Sequence, residues 1–199
     1  MTEWEKAQAG FLYDANYEID IIKMREKCAE LCYEFNMCRP SDVDRQKELL
    51  TKIIGNIKGN IVITAPFYCD YGINISVGDN FYTNHNVTIL DGAPVTFGDN
   101  VFIAPDCVFS TAGHPLDVEQ RNKGLEIALP ITVGDNVWIG TQVSVLPGVT
   151  IGSNTVIGAG SVVNRDIPDG VIAAGNPCKV IRKITDEDKN KYPIWNEET

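Results

Sequence analysis

From Val133 onward, a branched aliphatic residue returns at every sixth position: Val133, Ile139, Val145, Ile151, Ile157 and Val163. Four residues after each of these the chain is again small or apolar, at Val137, Val143, Val149, Thr155, Ser161 and Ile167. This spacing matches neither the roughly 3.6-residue turn of a helix nor the alternation of a flat strand. It matches a chain that runs straight for a few residues, turns a corner, and does so three times per rung. Stacked rungs then bury an aliphatic ladder, which is the hexapeptide signature of a parallel β-helix. Glycine follows four ladder residues, as Gly134, Gly140, Gly152 and Gly158, and is expected to relieve corners of positive φ.

The ladder begins earlier, with slips. Ile57, Ile63, Cys69 and Ile75 keep the spacing; the phase then moves by two residues to Val77, Thr83, Ile89 and Val95. It moves by two again to Phe97, Ile103 and Phe109, and Gly-Asp-Asn recurs at 78–80, 98–100 and 134–136. Paired insertions at a corner bulge the wall without breaking the stack. Between Gly113 and Pro130 the phase is lost, in a polar segment that opens with His114-Pro-Leu-Asp117. A loop of that length interrupting a regular solenoid points to function.

The first 56 residues read as helices. Thr2-x-x-Glu5 resembles a capping box. Ile19, Ile22, Ala29, Cys32 and Phe35 mark the apolar face of a helix from Glu18 to about Asn36. Ser41-x-x-Asp44 reads as a further cap, before a helix closed by Leu49, Leu50, Ile53 and Ile54. The expected organisation is a helical cap over 1–56, a β-helical body over 57–184 carrying the 113–130 loop, and a polar tail over 185–199.

Composition narrows the partners. A chain of 199 residues is one domain with a real core. Its net charge of −10 argues against a nucleic-acid binder, which would present a basic face. It contains no apolar run long enough to span a membrane and begins without a secretory stretch, so a cytoplasmic protein is expected. Six cysteines, at 28, 32, 38, 69, 107 and 178, lack a paired metal spacing and read as free, mostly buried thiols.

Several local motifs carry a family resemblance. The helical start, Tyr33-Glu-Phe-Asn36, Asp70-Tyr-Gly72, Asn80-Phe-Tyr82 with Asn84, Gly113-His-Pro115, Pro147-Gly-Val-Thr-Ile-Gly152 and Gly175-Asn-Pro177 resemble the maltose and galactoside O-acetyltransferases. The match leaves out only roughly the last dozen residues. It implies a mainly β protein, a left-handed parallel β-helix with an N-terminal α-helical cap. It further implies a homotrimer and acetyl transfer from acetyl-CoA to a sugar hydroxyl, with no metal required.

Acyl transfer from a thioester to a hydroxyl needs a base for the alcohol proton, and histidine is the usual choice. Of two histidines, His114 stands where the repeat breaks and is the expected catalytic residue. His85, beside Asn84 within a rung, reads as structural or merely lining the site. For the oxyanion the family uses a hydroxyl residue and backbone amides after a Trp-Ile-Gly turn, which match Thr141 after Trp138-Ile-Gly140.

The remaining roles are carried by the resemblance alone. Asp14, Arg25, Asp70, Tyr82 and Asn84 match acceptor-binding positions. The galactoside pattern has an aspartate where this chain has Gly92, with Asp91 just before it. With Asp70, that departure favours a maltose or glucose acceptor over a galactoside. The coenzyme would lie along Trp138, Gly158, Ala159, Asn164, Arg165, Lys179 and Arg182, basic residues in an acidic chain that suit phosphates.

Other functions remain to be weighed. A zinc-dependent carbonic anhydrase on this fold needs three histidines and finds two. A sugar-nucleotide pyrophosphorylase needs a Gly-rich nucleotide domain, and only helices precede residue 57. A related acetyltransferase for an antibiotic or other non-sugar acceptor, and a non-catalytic β-helix scaffold, are the live alternatives.

Overall fold

The computed structural model describes residues 1–195, so the last four residues of the tail expected at 185–199 lie outside the described residues. Its body is a three-faced parallel β-helix. The first face stacks Asn56–Ile57, Ile75–Val77, Val95–Phe97, Ile131–Val133 and Thr150–Ile151. The second stacks Ile61–Ile63, Phe81–Thr83, Phe102–Ile103, Trp138–Ile139, Val156–Ile157 and Val171–Ala174, closed by the antiparallel strand Lys179–Lys183. The third stacks Phe67–Cys69, Val87–Leu90, Val108–Ser110, Ser144–Val145 and Val162–Val163.

Register explains the six-residue ladder. Ile103, Ile139 and Ile157 are vertical neighbours on the second face, and Phe97, Val133 and Ile151 on the first. All six are at most 2% exposed. The outward positions of the second face stack equally strictly, as Val62, Tyr82, Phe102, Trp138, Val156 and Ile172. Val62, Phe102 and Trp138 in that stripe are 57%, 42% and 55% exposed.

The corners differ from the expectation. Positive φ falls on Asn80, Asn100, Asn136 and Asn154 between the first and second faces, on Asn86, Asp106, Gln142 and Gly160 between the second and third, and on Gly148 between the third and first, but not on the glycines that follow ladder residues. Asparagine tolerates the left-handed region because its side chain finds local hydrogen bonds. Here the amides form a ladder: Asn80 donates to Asn100, Asn100 to Asn136 and Asn136 to Asn154, at 2.9, 3.1 and 3.1 Å. The glycines serve close approach instead. A Cβ on Gly98 would stand 2.2 Å from Asp135 Oδ1, and one on Gly140 would stand 2.6 Å from the Ala159 nitrogen.

Three helices precede the body: α1 (Glu3–Gln8), α2 (Ile19–Met37) and α3 (Val43–Ile53). The Thr2–Glu5 capping box is present. The buried face of α2 is Ile21, Cys28, Cys32 and Phe35, whereas Ile19 is 62% exposed and Ala29 is also exposed, so the expected stripe is displaced at its start. The cap of α3 is Asp42, whose carboxylate accepts from the Arg45 N–H at 3.2 Å, and not Ser41. Leu49, Leu50 and Ile53 enter the main core.

The 113–130 interruption is ordered by its own elements. Helix α4 (Val118–Asn122) is capped by Asp117, and Leu125–Ala128 pairs antiparallel with both Ala112–Gly113 and the cap strand Tyr13–Asp14. The loop is thereby bonded to the cap.

Candidate active site

A cleft of about 350 Å³ opens where the third face turns toward the first. It is lined by Arg25, Asp70, Leu90, Ser110, Ala112, Gly113, His114 and Glu126. Three expected site residues therefore meet: Arg25 from the cap, Asp70 from a rung corner and His114 from the loop.

His114 is held by its neighbour strand. Its Nδ1 lies 3.1 Å from the Leu125 carbonyl oxygen, which can only accept, so Nδ1 carries the proton and Nε2 is left free. Nε2 stands 3.9 Å from Glu126 Oε1. Glu126 is positioned in turn: the Tyr13 hydroxyl donates to its Oε2 at 3.2 Å and Asn16 Nδ2 donates to Oε1 at 3.4 Å. Burial first, then the Glu126 charge, push the Tyr13 hydroxyl well above its ordinary range, so it stays a donor.

Asp70 is half-buried, and its pKa is pushed up to about 6 by burial and then by the charge of Asp91. The Arg25 guanidinium opposes that rise, and its NH1 donates to the Tyr71 hydroxyl at 3.4 Å. A carboxyl and a guanidinium on one wall can accept from and donate to hydroxyls.

Asp91 does not face the cleft. It is fully buried, and its oxygens accept from the N–H groups of Asp70, Tyr71 and Asn74 at 3.1, 2.8 and 3.3 Å. It braces the turn that presents Asp70; the expectation of a ligand contact is corrected to one of support. Asp14 borders the cleft without lining it. Its Oδ1 accepts from Asn16 and Tyr17 N–H at 3.0 and 2.9 Å, and it pairs with Leu125, whose carbonyl orients His114.

Tyr82 and Asn84 lie on the second face, apart from the residues of this cleft. His85 is bound locally: its Nδ1 contacts the Ala65 carbonyl at 2.5 Å, beside a separate cavity. On the coenzyme side, exposed Trp138 stacks above Val156 in register, and Thr141 accepts from the Gly160 N–H through its carbonyl. Gly158 is confined because a Cβ there would lie 2.7 Å from Ala174 Cβ. Thr141, Ala159 and Gly160 are exposed at the corner between the second and third faces. Asn164, Arg165 and Lys179 are also exposed. Arg182 is not free, since its guanidinium forms a bidentate pair with Asp188 at 2.8 and 2.6 Å.

Sequence reasoning missed Glu126. It sits in a strand with no ladder phase, and the antiparallel pairing of Leu125–Ala128 with Ala112–Gly113 brings it to His114. Its one linear signal is its place inside the interrupting loop.

A β-helix with a histidine-bearing loop beside a corner cleft can support acyl transfer, and the similarities to known proteins assign the class, the hexapeptide-repeat acyltransferases. Residues 6–59 match the maltose acetyltransferase hexapeptide capping motif, and 130–165 match the bacterial transferase hexapeptide family of six repeats. The galactoside O-acetyltransferase of Escherichia coli K12 is 47% identical over 188 residues, covering 94% of this chain and 92% of that protein. A galactoside acetyltransferase structure in complex with coenzyme A superposes with a TM-score of 0.91 at 44% identity, over 99% of this chain and 97% of that one. A maltose O-acetyltransferase structure from Clostridium difficile 630 gives 0.90 at 45%, over 94% and 99%. The chain belongs to the maltose and galactoside O-acetyltransferase family. Among the described residues no helix is long and apolar enough to cross a membrane.

Proposed function

We propose that this chain transfers the acetyl group of acetyl-CoA to a hydroxyl of a sugar, with His114 as general base. The observation that carries the reading is the Nδ1 contact of His114 to the Leu125 carbonyl, which leaves Nε2 basic beside Asp70 and Arg25. Nε2 takes the proton as the sugar oxygen attacks the thioester carbonyl. The carbon–sulfur bond then breaks, and the departing thiolate recovers that proton from the imidazolium. The products are an acetyl ester and free coenzyme thiol. Glu126, close to Nε2, stabilises the imidazolium formed between the two transfers.

Thr141 and neighbouring backbone amides receive the oxyanion, and Trp138, Gly158, Ala159, Asn164, Arg165 and Lys179 bind the coenzyme. The acceptor is of the maltose or glucose type. In support, Gly92 is buried, with the Tyr13 hydroxyl 3.1 Å and Ala128 Cβ 3.3 Å from where a Cβ would stand. The side chain of the aspartate in the galactoside pattern would have to displace them.

The protein works as a homotrimer in the cytoplasm, and Tyr82 and Asn84 of one subunit complete the cleft of the next. The outward stripe of the second face, with Phe102 and Trp138 42% and 55% exposed, supports a partner there. A panel of sugars incubated with acetyl-CoA, followed by thiol release, tests the chemistry. Release with maltose or glucose exceeding that with galactosides is expected; no release with any sugar overturns the proposal. Analytical ultracentrifugation should give three times the chain mass, and an active monomer would refute the shared site.

A further inference from the structure

Three cysteines, two on one helix and the third on a distant strand, meet behind the cleft wall without lining the cleft. Cys28 and Cys32 lie one turn apart on the buried face of α2, and Cys69 ends the third-face strand Phe67–Cys69 on which this helix packs. Cys69 Sγ lies 3.5 Å from Cys28 Sγ and 3.7 Å from Cys32 Sγ. All three sulfurs fall within 4.8 Å of one another, and none is in a disulfide.

The spacing is that of ligands around one ion. Two sulfurs each about 2.3 Å from a tetrahedral zinc stand about 3.8 Å apart. Thiolate triads select soft cations such as copper(I) and zinc over hard ones such as magnesium and calcium.

The sulfurs are also preset. Asn36, one turn beyond Cys32, clamps helix to strand by donating to the Phe67 carbonyl at 2.9 Å and accepting from the Phe67 N–H at 2.8 Å. An ion therefore need not gather its ligands. Cys28 and Cys32 are 2% and 3% exposed, but a cavity of about 220 Å³ reaches Cys28 between Met24, Lys27, Leu31, Lys52, Tyr71 and Ile73. That opening gives an ion a path to the cluster.

We infer that Cys28, Cys32 and Cys69 form a binding site for a thiophilic d10 cation, zinc(II) or copper(I), bridging the helical cap to the early rungs. It lies outside the proposed acetyl-transfer machinery and stands or falls independently of that reading.

Cadmium(II) is a suitable probe, because its thiolate bonds give a near-ultraviolet charge-transfer band. Titrating the reduced, metal-free full chain should develop this band to saturation at one equivalent, release protons and raise Tm. In a peptide map of alkylation under mild denaturant, which opens the buried thiols, saturating cadmium should protect Cys28, Cys32 and Cys69 while leaving Cys38 reactive. Cys28→Ser, Cys32→Ser and Cys69→Ser should each weaken binding by at least about tenfold. Cys38→Ser should leave it unchanged. Absence of the band at one equivalent, or undiminished affinity in the three cluster variants, would overturn the site. If those variants fail to fold, the alkylation map of the unaltered protein decides alone, and protection confined to Cys38, Cys107 or Cys178 refutes it.

Discussion

The passage from the third face to the first is built differently in the two halves of the β-helix. In the late rungs Val145 and Ile151 are joined by the short corner Leu146–Thr150, with no residue to spare. In the early rungs the same corner is two residues longer, between Cys69 and Val77 and again between Ile89 and Phe97. In the next rung the whole segment carrying α4 separates Phe109 from Val133. Asp70, Asp91 and His114 all arise from this one lengthened edge. Inside, the early rungs are filled by Phe81, Phe97 and Phe109, in contact at 5.0 and 5.1 Å between ring centroids, and the late rungs by valine and isoleucine. Regular rungs thus supply the ladder, while insertions at a single edge supply reactive groups without disturbing it.

If that division holds, activity and stability should separate by position. The largest effect is expected from His114→Ala, which should lower kcat by about 10²–10⁴-fold, the range for losing a general base. Its urea midpoint should stay that of the parent, because the side chain is half exposed and outside the core. Ile151→Ala, on the late ladder, should do the opposite. It should remove about 2–5 kcal/mol of stability in urea unfolding while the folded fraction keeps its kcat. A joint loss in either variant would break the comparison.

Asp70→Asn probes the lengthened corner by pH. The Asp70 carboxyl titrates near 6 when folded, against an ordinary 3.8. Below about 3.8 it is protonated in both states, and between the two values only the folded chain keeps the proton. Its contribution to stability is therefore lost as pH rises through 6. Asn should remove that slope and make the protein about 1–3 kcal/mol more stable at pH 7, while raising the sugar KM. Thermal melts from pH 4 to 8 and acceptor kinetics check both halves. A wild-type profile as flat as that of the variant would refute the assignment.

The smallest effect belongs to the early ladder itself. Thr83 occupies an inward position, fully buried, with its hydroxyl lacking a hydrogen-bond partner among the described residues. Thr83→Val should stabilise by about 1 kcal/mol, read as a higher urea midpoint. A lower midpoint would mean that the hydroxyl is satisfied after all.

The ladder was legible because one inward residue per straight segment repeats strictly from Val133 to Val163 and, with two slips of two residues, from Ile57 to Phe109. His114 was legible because it opens the one long break in that repeat. What escaped depends on contacts between segments distant in the sequence. The support of His114 by Leu125 and Glu126 needs Leu125–Ala128 to fold back on Ala112–Gly113, with Tyr13 and Asn16 of the cap holding Glu126. Asp91 reads as a polar corner residue, yet its carboxylate is used up by backbone donors twenty residues earlier. The pairing of Arg182 with Asp188 is close in sequence but needs the tail to fold back. Between the first and second faces the φ values were misassigned because asparagine, by stacking its amides, performs the role expected of the glycines after ladder residues.

The reversed strand Lys179–Lys183 has a consequence for how copies of this protein meet. A stack of parallel rungs ends in unpaired backbone donors and acceptors, an edge onto which another stack could add indefinitely. Here the second face ends in a strand running against all the others, exposed and carrying Lys179, Arg182 and Lys183. At the opposite end α2 packs on Phe67–Cys69, and α3 buries Leu49, Leu50 and Ile53. An incoming rung would meet a reversed strand at one pole and helix at the other. End-to-end addition of rungs is thereby disfavoured on the second face.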